Sequence, residues 1–336
     1  MLFRSGLALT AMLSCVFFAA ISGSSVASAA AIGSATVETL KAEKYPASFA
    51  AGIVAVGGTL GLMIPPSLSF ILIGSMVGLP IDKLFIAGVM PGIFEGIVLC
   101  IATIYISRKR GYGMPPRPAE WSKFRVKLLP ASGALFLPVL IIGTIYGGIF
   151  TPTEVSAVAA AYAAALSLWV YRTMSLMDFW RSVKETIASS AMLYSIVLGG
   201  SLLAFAITRL GFATYLATTL NGLGLPSWAF LIIVAVLLLV LGMFLDGVSL
   251  IVLTAPILFQ LINAYGINPI HFAVILTALV EIATITPPVG LNIFVMSGVA
   301  GIRVEEVVKG VWPFYLARLF SLLFIIFVPQ LSLMLL

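Results

Sequence analysis

Charged side chains are scarce in this chain: Asp, Glu, Lys and Arg together make up 9% of its 336 residues, where soluble domains carry about 25%. Water is therefore not its main solvent. Histidine occurs once, as His271, and cysteine twice, as Cys15 and Cys100. That leaves no ligand spacing for a transition metal and no disulfide framework. The two cysteines read as small buried apolar side chains, and His271, following Asn268-Pro269 at a helix start, reads as structural. No Ser–His–Asp set and no phosphate-cradling glycine loop is present, which excludes an ATPase and gives an intramembrane enzyme no footing. The net charge of +6 gathers in loops between apolar segments, where topology explains it better than nucleic acid does.

Apolar length is what the chain has in quantity. Hydrophobic residues make up 61% of it and the mean hydropathy is +1.18. Apolar stretches recur from end to end, and a helix needs about 20 such residues to cross the hydrocarbon core. Every backbone polar group must be satisfied inside the protein there, and stretches of this length mean helices rather than a barrel. The fold class is an all-α polytopic membrane protein. Residues 1–30 imitate a signal peptide, with Met1–Arg4 as basic start, Leu7–Ala20 as apolar stretch and Ala27-Ser28-Ala29 as cleavage site.

An internal repeat argues against that reading. Two Pro-Pro pairs interrupt apolar segments, Ile64-Pro65-Pro66-Ser67 and Thr286-Pro287-Pro288-Val289, 222 residues apart. At the same offset Ser75 falls on Ser297, Gly88 on Gly310 and Pro91 on Pro313. The apparent signal peptide then matches residues 223–253, internal to the second copy, and becomes the first arm of a hairpin. The expected layout is a first repeat over 1–107, with hairpin 6–41, broken helix 46–79 and helix 82–107. A basic linker follows over 108–129. The second repeat, 130–336, has helices 130–149 and 153–172, an arm 175–187, helix 188–222, hairpin 230–265, broken helix 268–299 and last helix 311–336. Roughly 90 residues of the first repeat lack a counterpart, so the sequence reads as N-terminally incomplete.

Charge sets the expected topology. Arg108, Lys109, Arg110, Arg117, Lys123, Arg125 and Lys127 face one acid, Glu120, which puts this stretch in the cytoplasm, as it does Arg172–Lys184 and the Lys41–Lys44 loop. Between the first two lies the tight turn Phe150-Thr151-Pro152-Thr153, with Thr153 as candidate N-cap. The loop 263–269 has no positive charge and falls outside, whereas Arg303 and Lys309 return to the cytoplasm. The two hairpins then open from opposite faces, and their polar tips, Ser22–Ser25 and Leu245–Val248, make them re-entrant. Inverted repeats of this kind are typical of secondary transporters.

The chemistry is expected at the breaks. Proline lacks the N–H that pairs with the carbonyl four residues back, so the two pairs free the carbonyls of Gly61, Leu62, Ala283 and Thr284. A cation in a protein-lined cavity offsets that loss. Hydroxyls stand alongside in Thr59, Ser67, Thr284 and Thr286, and Asn292 lies one turn further on. The hairpin tips, Ser24-Ser25 and Asp246-Gly247, add half-helix N-termini suited to a carboxylate. These supply the candidate substrate contacts: Ser24, Ser25, Thr59, Ser67, Asp246, Gly247, Thr284 and Asn292. Asp246 serves equally as an N-cap, Glu281 faces either a cavity or another helix, and Glu38 and Glu154 are first-turn or interfacial charges. On these residues a dicarboxylate or citrate carrier working without a binding protein stays open, as does a non-functional truncated fragment.

With those residues quoted, the chain resembles the large membrane subunit of tripartite ATP-independent periplasmic (TRAP) transporters. The resemblance is carried by Phe18–Ser24, Gly61–Ser67, Gly148–Glu154, Gly242–Gly247 and Glu281–Asn292, in family order across the chain. It implies an elevator mechanism in the bacterial inner membrane. It also implies a small four-helix membrane subunit, a periplasmic substrate-binding protein and a sodium gradient that drives uptake of an organic acid such as a C4-dicarboxylate or sugar acid, with no cofactor beyond the coupling ions. By motif, one sodium site falls at Ser22, Gly61, Ile64 and Pro66, and the other at Gly242, Ala283, Thr286 and Val289. Family members often have Gly where Ala283 stands, a change that a backbone ligand tolerates.

Overall fold

The computed structural model describes residues 6–114, 121–212, 215, 216, 218 and 224–336, with the backbone alone for 121–130. Among the described residues every regular element is helical. Five helices are long and apolar enough to cross a membrane. The chain divides into two compact units, residues 1–118 with 203–336, and residues 119–202.

The larger unit begins with two helices, α1 (Gly6–Ser22) and α2 (Ser25–Ala42), joined by Gly23-Ser24. Gly23 adopts φ +61°, a left-handed turn open to glycine, and Ser24 caps α2. Next comes α3 (Ala47–Gly58), which tightens into a 3₁₀ turn over Thr59–Leu62 and stops at the first proline pair. It resumes as α4 (Leu68–Val77), capped by Ser67. The long α5 (Ile81–Lys109) follows. Beyond residue 224 come α9 (Ser227–Gly242), α10 (Gly247–Ala264), α11 (Pro269–Ala283), α12 (Leu291–Ala300), α13 (Val304–Phe327) and the short α14 (Gln330–Leu333). Shifted by 222, α2 lands on α10 residue for residue and the other four first-copy helices land within a few residues of α9, α11, α12 and α13. Both Pro-Pro bonds are cis.

The broken helices form the centre. Every residue from Phe49 to Gly58 of α3 and from His271 to Ala283 of α11 is buried, as expected of helices apolar all round. Around α3 the core joins Met12 and Cys15 of α1, Ala29 of α2, Met296 of α12 and Phe314 of α13. Both cysteines are free, Cys15 buried and Cys100 partly so. The Asn292 amide Nδ2 on α12 donates to the Ala55 carbonyl of α3 at 2.9 Å, and Lys41 donates to the C-terminal Ala300 carbonyl of α12 at 2.6 Å. His271 is structural in its setting, with Nδ1 3.2 Å from the Ser332 hydroxyl.

The smaller unit holds α6 (Trp121–Tyr146) and α7 (Pro152–Ala165), with a π turn over Leu166–Val170, and most of α8 (Leu176–Arg209). Tyr162 on α7 donates to the Gly133 carbonyl on α6 at 3.0 Å. Several expected boundaries move. Helix α6 is already formed at Trp121, nine residues before 130, and Trp121–Leu129 holds no Gly or Pro to interrupt it. The cap of α7 is Thr151 rather than Thr153: Pro152 occupies the first helical position, and Thr151 and Glu154 complete a capping box. The arm 175–187 and helix 188–222 are one helix as far as Arg209; Ser175 and Asp178 cap it reciprocally, and nothing between them and Gly199 interrupts it. The remainder of 188–222 lies partly outside the described residues, as do Arg117 and Glu120. The last helix begins at Val304 instead of 311, with Glu305 and Glu306 complementing its N-terminal dipole, and Pro329 follows its end.

The tightest contact in the larger unit lies between α3 and α13. A Cβ on Gly310 would fall on the Ser48 carbonyl, and one on Gly52 on the Gly310 backbone. Small residues allow such approach in membrane helices. Gly310→Ala is expected to destabilise the fold by about 1–3 kcal/mol through overpacking. Gly298→Ala, where an added Cβ meets nothing within 4 Å, leaves the melting temperature in detergent unchanged or raised. Thermal unfolding of the two variants checks this.

Candidate functional site

The hairpin tips and the helix breaks meet. At the first, the Leu68 N–H donates to the Gly23 carbonyl at 3.2 Å, and a Cβ on Gly61 would lie 2.8 Å from the Ser24 carbonyl oxygen and 3.0 Å from the Ser28 hydroxyl. At the second, the Val289 N–H donates to the Met243 carbonyl at 3.1 Å, and a Cβ on Gly242 would strike the Ala283 side chain. The glycines at these contacts are what let each tip press against its break.

The carbonyls freed by the prolines fare differently. Gly61 O accepts no hydrogen bond from another described residue, and Leu62 O is taken by the Ser67 hydroxyl. Against the expectation of open carbonyls at the second break, Ala283 O accepts from the Thr286 N–H at 3.1 Å and Thr284 O from the Asn292 N–H at 3.0 Å. The Ala283 carbonyl is served by the last amide before the prolines, in a tightened i+3 turn, and the Thr284 carbonyl by chain that folds back after them. A carbonyl has two lone pairs, so one remains on each for a further ligand.

Between the two tips lies a cavity of about 90 Å³. The first residue of each of four helices lines it: Ser25 of α2, Leu68 of α4, Gly247 of α10 and Leu291 of α12. Ser24, Asp246 and Thr284 line it as well. Four helix N-termini bring partial positive charge and unpaired N–H groups to one small volume, which is the chemistry of an anion site. The volume is well below the roughly 300–1,000 Å³ of usual small-molecule sites.

Of the eight candidate substrate contacts, five stand here: Ser24, Ser25, Asp246, Gly247 and Thr284. Three stand elsewhere, fully buried. Thr59 donates to the Val56 carbonyl at 2.8 Å and accepts from Arg318. Ser67 caps α4, and Asn292 holds α3. Ser22 sits at the first tip, with its hydroxyl 2.5 Å from that of Ser28. Thr286 is held by the Tyr315 hydroxyl at 2.7 Å. Glu38 pairs with Lys41 on the surface at 2.8 Å. Glu281 faces another helix: its Oε2 lies 3.2 Å from Arg318 Nη1, which is also 2.8 Å from Glu95 Oε2. Sequence reasoning passed over Arg318 and Glu95. Each is an ionisable residue inside an apolar helix, a functional signal by default.

Asp246 is both a cap and a charge in the cavity. Its carboxylate accepts from the Val248 N–H at 3.0 Å, from the Ser249 N–H at 3.4 Å and from the Ser249 hydroxyl. Asn is as good a cap as Asp, whereas Ala costs about 1 kcal/mol. Asp246→Ala is therefore expected to lower the melting temperature and Asp246→Asn to preserve it. If the charge serves the cavity, Asp246→Asn also changes ligand affinity while stability holds, which ligand titration of the folded variant reads directly.

Comparison with known proteins agrees with this architecture. The sequence matches the family described as tripartite ATP-independent periplasmic transporter, DctM component, over residues 2–331. It is 39% identical over 332 residues to the C4-dicarboxylate TRAP transporter large permease protein DctM of Pseudomonas aeruginosa, covering 98% of this chain and 77% of that one. It is 38% identical to the isethionate TRAP transporter permease protein DctMQ of Oleidesulfovibrio alaskensis, over 96% of this chain and 51% of that one. With the sialic acid TRAP transporter large permease protein SiaM of Vibrio cholerae it shares 32% identity, over 95% and 75%. TRAP large permease subunits work with a small membrane subunit and a periplasmic binding protein. The chain belongs to the DctM family of TRAP large permeases, and it is a multi-pass inner-membrane transporter subunit rather than an enzyme.

Proposed function

We propose that this chain carries a small organic acid anion inward, driven by sodium, after a periplasmic binding protein delivers it. The observation that supports this reading is the convergence of four helix N-termini on one cavity at the two hairpin tips. That arrangement favours an anion held by backbone N–H groups and dipoles rather than by a lysine or arginine, neither of which lines the cavity. The substrate class, a C4-dicarboxylate, sugar acid or similar carboxylate, is consistent with what the relatives carry.

Sodium fits the oxygen-rich breaks. The first site is assigned to Ser22 with the carbonyls of Gly61, Ile64 and Pro66, and the second to Thr286 with the carbonyls of Gly242, Ala283 and Val289. Hard cations take oxygen ligands, and broken helices supply them without a carboxylate in the shell. Each tip presses on its own break, so occupancy of a break orders the tip that closes over the anion. In this reading the hairpins are re-entrant, opening from opposite membrane faces, and the larger unit is the part that moves in an elevator cycle against the remaining helices and the small subunit.

The test is uptake of labelled dicarboxylates and sugar acids by the complete transporter in proteoliposomes, with binding protein added outside. Replacing external sodium by choline is expected to cut uptake by at least about tenfold, the effect of losing roughly 1.4 kcal/mol of driving interaction. Omitting the binding protein should do the same. Uptake undiminished in choline would sink the sodium reading, and uptake indifferent to the binding protein would favour a carrier that works alone.

A further inference from the structure

One side chain touches both broken helices. Arg318 on α13 is 1% exposed. Its Nη2 donates to the Thr59 hydroxyl at the start of the first 3₁₀ turn, and its Nη1 lies 3.2 Å from Glu281 Oε2 near the end of α11. Thr59 and Glu281 are 222 residues apart, the spacing of the Pro-Pro pairs, so they hold the same position in the two copies. Each stands two residues ahead of a carbonyl that a proline leaves without its helical partner, Gly61 in one copy and Ala283 in the other. Glu95 on α5, 2.8 Å from Nη1, completes the cluster. It comes from the helix that corresponds to α13, one residue from the position equivalent to Arg318. The guanidinium thus sits where the internal symmetry brings the two breaks together.

An architectural clamp does not need this chemistry. Buried ion pairs are often replaced by apolar packing at little or no loss of stability. Glu281 Oε1 makes no hydrogen bond among the described residues. What the guanidinium offers beyond packing is a rigid planar fork whose donors fix two partners at once. A shift at one break changes the geometry available at the other, because the same rigid group holds Thr59 and Glu281.

We infer that Arg318 is a positioning residue that couples the two breaks, so that a cation settling at one pre-orders the other and sodium binds cooperatively. This rests on the sodium reading above. Coupling of this kind is reciprocal between the sites.

Sodium dependence of uptake by the complete transporter in proteoliposomes, at constant ionic strength with choline, tests it. The wild type is expected to show a Hill coefficient above one. Arg318→Lys keeps the charge but not the planar fork, and Thr59→Val removes one anchored hydroxyl while keeping every charge and nearly the same shape. Both should lower the coefficient to that of two independent sites and raise half-saturating sodium roughly fivefold or more. A purely structural role would lower the amount of assembled protein or the maximal rate and leave the coefficient alone. If Arg318→Lys does not assemble, Thr59→Val decides. Variants that keep the wild-type coefficient overturn the coupling, as does a wild-type coefficient of one, which leaves sodium-driven uptake standing. Wild-type uptake that ignores sodium removes the sodium reading itself, and the coupling with it.

Discussion

Two adjacent prolines inside a buried helix remove two N–H groups where no water can replace them, and the larger unit is organised around that loss. It happens twice, at Pro65-Pro66 and Pro287-Pro288. In each case the chain beyond the break returns a donor to a carbonyl before it, Ser67 to Leu62 and Asn292 to Thr284, and at the second break Thr286, just before the prolines, closes a tight turn onto Ala283. Each break also receives a hairpin tip, pressed close by glycine. The requirement that membrane-embedded backbone be satisfied thus accounts for the polar residues at the breaks, for the glycines at the tips, and for the position of Asp246, the one carboxylate among the described residues that line this cavity.

The same constraint explains how the cavity comes to be ringed by helix N-termini with no cationic side chain among its lining residues. A broken helix has an extra N-terminus in mid-membrane, and a hairpin supplies another. Two of each, related by the repeat, give four positive dipole ends without a lysine or arginine. Charged groups are used instead at the crossing of the broken helices, where Arg318, Glu95 and Glu281 lie at most 2% exposed in their side chains. The helix N-termini and the buried charges are thereby kept in separate places.

The fold was largely legible from punctuation. Pro-Pro spacing gave the repeat, and the element boundaries at α2 and α10 follow it to the residue. Boundaries shifted where charge was taken to set a segment apart from the helix that follows: Lys123, Arg125 and Lys127 lie within α6, and Arg181, Lys184 and Glu185 within α8. Basic side chains are good helix formers, and charge marks a membrane face without marking a helix end. Within the site, the tips were legible because small polar residues stand out in apolar surroundings. Thr59, Ser67 and Asn292 looked the same in sequence, yet each faces inward to a backbone or guanidinium partner. Which way a hydroxyl points depends on helix packing across more than 200 residues, and no local pattern records it. Arg318 was hidden by the same distance, since its partners lie on three other segments.

The backbone contact of Gly52 and Gly310 has a mechanical consequence. It brings the backbone of the broken helix of the first copy directly against that of the last long helix of the second, with no side chain between them at this point, while Phe49 and Phe314 stack alongside. Transporters built from inverted repeats can alternate by rocking one copy on the other, which requires a lubricated seam. Here backbone meets backbone, so α3 and α13 cannot slide or hinge past each other at this point without first moving apart.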